Sequence, residues 1–523
     1  MRKTRQPFSR SDMIHITATG RPYWGSGLPT ANIEIQVITN HWTEFLIKVL
    51  SLGLNLVGLL LVLLLAGCAV IGPDYVPPDI AAPKGWSTGL SGGLTDATPD
   101  GRTLAGWWST FNDPALTKLI DSAVAGNFDL GIARARVREA RARRNIVKAN
   151  VFPTINVSGS ASKIRTSKET GLGTENDLYD AGFDAGWELD VFGRVRRSVE
   201  AAGASFEASQ EGLHDVMVSL LAEVALNYVE VRSFQTRLSI AQANQKAQEQ
   251  TYGMVETRCQ TGLTSKLDLE QARYNLEETR SQIPLLHTGL EQAQNRLNVL
   301  LGQNPGSLKD ELAERKNIPT PPPEIAVGVP ADVLRRRPDI RKAERELAAQ
   351  TAVVGVATAE LYPSFTLSGS IGLESLSLGN LFEKESKIFG IGPSFKWNIF
   401  DTGRIRQNIE VQNAIQEQAL LAYEASVLQA LAEVEDALTA YAEEQVRQRS
   451  LMAAVGAAWR AVEIAEDQYK SGLTDFQNVL NGQRALLSLQ DQLAKSKSAV
   501  TSDLISLYKA LGGGWTSLDP LID

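Results

Sequence analysis

Cysteine and histidine are scarce. The 523 residues hold two Cys and four His, too few to suggest a multi-ligand zinc, haem or iron–sulfur site. A basic excess is also missing: the net charge is −8, whereas a nucleic-acid binder carries a basic face. Only one run of about 18 apolar residues exists, near the N-terminus, so a polytopic helical transporter is excluded. Catalytic constellations are absent as well. His214 and His287 sit in helical stretches without partners at metal or triad spacing. Gly512-Gly513-Gly514 does not lie between a strand and a helix, so it reads as a helix stop and not as a phosphate loop. These absences argue against an enzyme and imply no cofactor. What is present is ordinary core-forming material, 43% apolar and 21% charged, in a length that suits two or three domains.

The apolar run spans Val49 to Ala66, follows Lys48 and ends in Leu65-Ala66-Gly67-Cys68. A basic flank, an apolar core and small residues before a cut site describe a signal peptide; the alternative is a plain transmembrane anchor. The Leu-Ala-Gly-Cys ending resembles a bacterial lipobox, which implies cleavage before Cys68 and acylation of its thiol. Two acyl chains hold a protein stably on a bilayer. Ala69, where an Asp would signal inner-membrane retention, resembles an outer-membrane address. Residues 1–47 are long for a signal n-region, which points to a true start codon further downstream. Removing residues 1–67 takes away six basic and three acidic residues and leaves a mature net charge of −11. Cys259 then has no intrachain partner, so no disulfide framework is expected.

The dominant feature is a self-match at a fixed offset of 210. Phe152-Pro153 matches Tyr362-Pro363, Trp187 matches Trp397, and Gly193-Arg194-x-Arg196 matches Gly403-Arg404-x-Arg406. Leu221-Ala222-Glu223-Val224 matches Leu431-Ala432-Glu433-Val434, and Gly262-Leu263-Thr264 matches Gly472-Leu473-Thr474. The offset never slips, so the chain is a tandem duplication.

Each copy carries the same periods. Ile155, Val157, Gly159 and Ala161 alternate with polar residues, as do Phe365, Leu367, Gly369 and Ile371. A second alternating run is Phe183, Ala185, Trp187, Leu189 and Val191, with Ile391, Phe395, Trp397 and Ile399 as its twin. Period two predicts two strands per copy joined as a hairpin, one face apolar and one polar. Asp184, Glu188 and Asp190 fall on the polar face. The period then changes: Met217, Leu221, Val224, Tyr228 and Val231 form a heptad seam, repeated at Val427, Leu431, Val434, Leu438 and Tyr441. A helix of about 67 residues follows each strand pair, roughly 100 Å long. Gly262 and Gly472 turn the chain into shorter returning helices, and another short helix precedes each hairpin.

Four strands cannot close a barrel, and open edges are not tolerated in lipid. Oligomerisation resolves this: two copies supply eight strands and three supply twelve, the latter able to leave a water-filled pore.

The lipobox, Gly72-Pro73-Asp74-Tyr75, Trp107-Trp108 with Phe111, Leu361-Tyr362-Pro363, Arg335-Arg336-Arg337-Pro338-Asp339-Ile340 and Tyr508 to Trp515 together resemble the TolC-like outer-membrane efflux channels, in their lipoprotein (OprM-like, NodT) branch. The resemblance implies an α+β fold: a homotrimer with a 12-stranded transmembrane barrel, four strands per chain, above a long antiparallel α-helical barrel that crosses the periplasm. It implies a lipid-anchored outer-membrane protein that joins a periplasmic adaptor protein and an inner-membrane transporter and passively exports small molecules or drugs. The expected division is a signal peptide over 1–67, an N-terminal linker and equatorial segment over 68–127, a first repeat over 128–302, an equatorial connection over 303–337, a second repeat over 338–512, and a tail over 513–523.

Departures from the family pattern fall at the periplasmic tips. Cys259 stands in Arg258-Cys259-Gln260-Thr261-Gly262 where an aromatic is usual, and Leu480-Asn481-Gly482-Gln483-Arg484 carries Asn where Asp is usual. Helix ends converging on a three-fold axis constrict, so Asp475, Asn481, Arg484, Asp268 and Gln271 are the expected aperture residues. Two rivals remain: a duct for protein secretion, and a structural lipoprotein that spans the periplasm without conducting.

Overall fold

The computed structural model describes residues 70–79 and 82–515. Cys68 and the signal segment lie outside the described residues. In chain order the elements are β1 (Leu94–Thr95), α1 (Gly101–Ala105), a 3-10 turn over Trp107–Phe111, α2 (Pro114–Gly126), α3 (Phe128–Ala149), β2 (Thr154–Arg165), β3 (Glu175–Leu189), α4 (Arg194–Gln260), α5 (Lys266–Leu300), β4 (Ile325–Ala326), α6 (Pro330–Arg336), α7 (Pro338–Ala359), β5 (Ser364–Ser375), β6 (Lys387–Lys396), α8 (Arg404–Lys470) and α9 (Phe476–Ala510). Among the described residues, no helix is long and apolar enough to cross a membrane.

The duplication is visible in three dimensions. Helices α4 and α8 each run 67 residues, about 100 Å at 1.5 Å per residue. Each starts after a glycine at positive φ, 84° at Gly193 and 87° at Gly403, a conformation that bends the chain out of the sheet at little cost only for glycine. Asp190 Oδ1 accepts from Val195 N at 3.0 Å, and Asp401 Oδ2 accepts from Ile405 N at 2.9 Å. Each carboxylate thus takes up a first-turn N–H that has no partner within the helix. Asp190 lies just past β3 and caps α4, so it is not the strand-face residue the alternation predicted.

Helices α3 and α5 form one column beside α4, and α7 and α9 form a second. The α7–α9 column packs against both α4 and α8, so the order across the bundle is α3/α5, α4, α7/α9, α8. The heptad seam of α4 is fully buried, whereas Leu431 on α8 is only half-buried. Around the middle of the columns a continuous apolar core joins Trp107, Leu116, Leu221, Tyr228, Leu297, Leu504 and Tyr508. Arg232 is buried there and makes three hydrogen bonds: Nε donates to Tyr228 Oη (3.1 Å) and Nη1 donates to Gln235 Oε1 (2.8 Å) and Glu314 O (2.7 Å). Such pairing is what allows a guanidinium inside a core.

Strands β2, β3, β5 and β6 form one antiparallel sheet in that order. The register of β2 on β3 (Thr154 opposite Gly186) recurs in β5 on β6 (Ser364 opposite Lys396), both partners shifted by 210. Contrary to the alternating pattern, β6 ends at Lys396, leaving Trp397 and Ile399 outside the strand. The physical reason lies in β3, where Trp187, Glu188 and Leu189 pair only with β5. Their twins 397–399 would need a further strand beyond β6, and among the described residues there is none.

Candidate functional site

Paired residues of adjacent strands share a face. One face of the sheet therefore gathers Ile155, Val157, Phe183, Trp187, Leu367, Ile371, Ile391 and Phe395, while the other gathers Asn156, Ser160, Asp180, Asp184, Ser370 and Ser394. The apolar side chains Ile155, Val157, Ile371, Ile391 and Phe395 are exposed. Twelve residues of β2 extend about 40 Å, enough for a tilted crossing of a hydrocarbon layer. At the base of the sheet the indole N–H of Trp187 donates to Val151 O at 2.9 Å, and that of Trp397 to Leu361 O at 3.0 Å. These paired indoles mark a level where a ring has one apolar and one polar side, as at a membrane interface. On the polar face Asn156 Nδ2 donates to Asp184 Oδ2 at 3.0 Å, and Ser160 donates to Asp180. Glu188 receives Arg194, so it ties the strand to α4.

The segment before the repeats is fastened at the same end. Ile71 N–H donates to Phe192 O at 3.2 Å. The buried Arg197 guanidinium donates to Asp74 Oδ1 at 2.6 Å and to Gly72 O at 3.2 Å. Gly72, at φ 98°, faces Gly355 so closely that a Cβ would stand 2.4 Å from its Cα. The Gly-Pro-Asp-Tyr motif is therefore a clamp on α4 and α7, with Tyr75 Oη donating to Glu344 Oε1 at 3.1 Å.

At the opposite end the two helical turns lie side by side. Gly262 and Gly472 both adopt φ 75°. Arg258 Nη1 donates to Lys470 O at 3.2 Å, and Arg258 lies over the Tyr469 ring at 5.0 Å. Tyr469 and Phe476 anchor a small apolar cluster with Val255, Val479 and Leu480. Their positions in the first repeat hold Cys259 and Lys266, so at these two positions the second tip alone supplies aromatics. Asp268 is committed to its helix end: its backbone N–H donates to Ser265 Oγ at 3.2 Å, and its carboxylate receives Thr264. Gln271 sits half-buried one turn later. Arg484 turns toward α5, with Nε donating to Asn275 Oδ1 at 3.2 Å and the guanidinium over Tyr274 at 4.4 Å. Asp475, at the N-cap of α9, makes no side-chain cap bond and is exposed. Asn481 is also exposed and accepts from Gln477 Nε2 at 3.0 Å.

The sum of the two shorter helices, roughly the length of the long one, predicts that they stack end to end beside it; sequence reasoning missed the residues that bond the junctions, although the offset contained them. Asn127 Nδ2 donates to Leu300 O at 2.9 Å, and its twin Arg337 donates from Nη1 to Ala510 O, the twin of that carbonyl, at 3.0 Å. His214 is buried, with Nδ1 3.2 Å from Glu211 Oε2 and its ring stacked on Trp515. Among the described residues no group of side chains could hold a metal ion.

The family model described as outer membrane efflux protein matches residues 119–303 and 329–513, two segments that again lie 210 apart. Nodulation protein T of Rhizobium leguminosarum bv. trifolii is 32% identical over 464 residues, covering 87% of this chain and 96% of that protein. The toluene efflux pump outer membrane protein TtgI of Pseudomonas putida is 32% identical over 464 residues, covering 87% and 97%. The solved structure of the outer-membrane channel OprN superimposes with a TM-score of 0.81 at 35% identity, covering 86% of this chain and all of that one. The chain belongs to the outer membrane efflux protein family. It is an outer-membrane channel component of an efflux pump, in a family of channels rather than enzymes.

Proposed function

We propose that three copies of this chain close into one duct that carries small molecules passively outward, fed by an inner-membrane transporter through a periplasmic adaptor. The observation that carries this reading is the matched incompleteness of the two repeats. Within one chain the β3–β5 and α4–α7 contacts join the end of the first repeat to the start of the second. Their twins, β6 with β2 and α8 with α3, need the next copy. Closure would extend β6 through 397–399 and bury the exposed side of α8. Applying the 210 offset to the β3–β5 register pairs Ser394 with Ser160 of the next copy.

A lipid anchor at Cys68 fits this arrangement. Ile71 is bonded at the base of the sheet, and three residues reach no more than about 11 Å. Acyl chains on Cys68 would enter the membrane beside the barrel. At the tips, Asp475 and Asn481 are the exposed positions available to line the aperture, with Gly262 and Gly472 setting the turns. Gln271 is a further, half-buried candidate, whereas Arg484 and Asp268 act by bracing helices. The domain limits follow the repeat: 68–127, 128–302, 303–337, 338–512 and 513–523.

The test is a Ser160→Cys/Ser394→Cys double variant, oxidised in detergent. A covalent trimer on denaturing gels is expected, with discrete conductance in planar bilayers, and Asn481→Asp in that background should raise cation preference. A pair shifted by one strand position, Ser394→Cys with Gly159→Cys, should cross-link poorly. Failure of the first pair to link, or a monomeric native mass, would reject the closure.

A further inference from the structure

The three consecutive arginines before α7 are more than the fold requires. Arg337 holds the Ala510 carbonyl and pairs with Asp339 and Glu433 at 2.7 and 2.8 Å. Its structural task is done in the first repeat by Asn127, a neutral residue. Arg335, Arg336 and Arg341 correspond to Ala125, Gly126 and Gly131. There the junction is sealed by backbone contact: a Cβ on Gly126 would stand 2.5 Å from Leu301 O, and one on Gly302 would stand 2.2 Å from Gly126 O. The same chain path is therefore built once with no charge at these positions and once with three guanidinium groups.

In the second repeat the junction opens into a cavity of about 540 Å³. Its walls include Arg102, Arg335, Arg336 and Arg341, with Asp100, Asp332 and the Trp515 ring. The partners of these groups are unequal. Asp100 accepts from Thr103 N and Thr103 Oγ1, each at 3.1 Å, and so caps α1. Arg341 pairs with Glu211 at 2.7 Å and lies over the Trp515 ring at 5.1 Å. Arg335 and Arg336 have no hydrogen bond or ion pair among the described residues. Burial holds Arg336 below the usual arginine range, against the pull of Asp332. The buried indole N–H of Trp515 has no acceptor among the described residues. The cavity thus offers two guanidinium forks that make no hydrogen bond or ion pair, set against the carboxylates of Asp100 and Asp332, of which Asp332 pulls on Arg336.

We propose that this cavity is a binding site for a small oxyanion, a phosphate or a paired carboxylate, held by Arg335 and Arg336. A guanidinium presents a planar fork of N–H groups that fits such an oxyanion bidentately, and the half-buried fork of Arg336 gains more from an anion than the exposed one of Arg335. Arg102 lies at the rim beside Asp100 and adds long-range attraction. The site lies at the junction of α7 and α9, with residues of α1 and α6 in its walls. It is independent of the trimer reading, because every wall residue comes from one chain.

The experiment is isothermal titration of the full-length protein in detergent with inorganic phosphate and, separately, with glutarate. Saturable binding at one site per chain is expected in at least one arm, and the stronger arm identifies the chemistry. Arg335→Gln/Arg336→Gln should weaken that binding at least tenfold while leaving the ligand-free melting temperature and the single-channel conductance unchanged. No saturable heat in either arm, or equal binding by the double variant, would overturn the proposal. A double variant that melts several degrees lower without ligand would also overturn it, since the arginines would then be structural.

Discussion

Helices α4 and α8 have the same length, the same starting glycine and twin seams, yet they live in different surroundings. Helix α4 packs along α2, α3, α5, α7 and α9, while α8 packs along α7 and α9, with smaller contacts to the short α6 and, at the tip, to α4. Val218 on α4 is 5% exposed, whereas its twin Leu428 on α8 is 69% exposed. Val411 and Leu421 are likewise exposed where Ala201 and Glu211 are buried. Duplicated sequence does not give duplicated burial: the first copy is covered by the second, while the twin face of the second is open within one chain. That open face is the one the proposed closure assigns to a neighbouring copy.

The sharpest way to break the comparison is to charge the shared seam. Leu221 is 1% exposed inside the central core. Leu221→Asp places a carboxylate where no partner exists, which costs several kcal/mol or forces it to stay protonated. Loss of folded protein is expected, read as absent trimer on native gels. Leu431→Asp, at the half-buried twin, should still fold, with a melting temperature lowered by several degrees. Equal effects would mean that the two helices are not differently packed after all.

A second change acts on the outer face alone. Leu428→Lys adds charge to a side chain that is solvent-facing within one chain, so the protomer should fold normally. Where that face meets α3 of the next copy, the lysine must be desolvated. The trimer should dissociate at concentrations at least tenfold higher than the parent, measured by native mass or light scattering. Val218→Lys, its twin, should instead prevent folding.

Much of this is legible in the sequence alone. The long helices can be read because the seam steps by three and four residues without a proline from 194 to 260, and because Gly193 and Gly262 bracket it. Strand faces can be read from strict alternation after Pro153 and Pro363. The end of β6 cannot, since 397–399 have no strand to pair with at the sheet edge among the described residues. Nor can the orientation of Arg484, which follows from how the α4–α5 and α8–α9 hairpins lean on each other. Asp190 looks like a strand residue because alternation continues past the strand's last hydrogen bond; only the positive φ of Gly193 turns the chain and makes it a helix cap. The charged junction is readable as a motif, but its surplus over the first repeat emerges only when Asn127 and Arg337 are found on equivalent carbonyls.

The smallest expected effect lies between the two long helices' return contacts. Where the first repeat sets Phe234 near α5 and buries Ala293, the second has Glu444 on α8 and Asp503 on α9. Burial, reinforced by Glu444, pushes the Asp503 carboxyl up to about 6. Its folded value therefore lies above its unfolded one, near 3.9. Such a carboxyl binds its proton more tightly when folded, so it favours the fold below about pH 4, and this support is lost as pH rises through about 6. Above that, the ionised group is a standing penalty. A rise of this size in a fully buried group would correspond to about 3 kcal/mol, but the side chain is only half-buried, and solvent screening reduces this to about 1–2 kcal/mol. Asp503→Asn removes the charge and keeps the shape. It should raise the melting temperature by a few degrees at pH 8 and leave it almost unchanged at pH 4.5. A pH-independent difference would show that the gain comes from packing and not from the proton, and would leave Glu444, held by Arg447 at 2.7 Å, without influence on its neighbour.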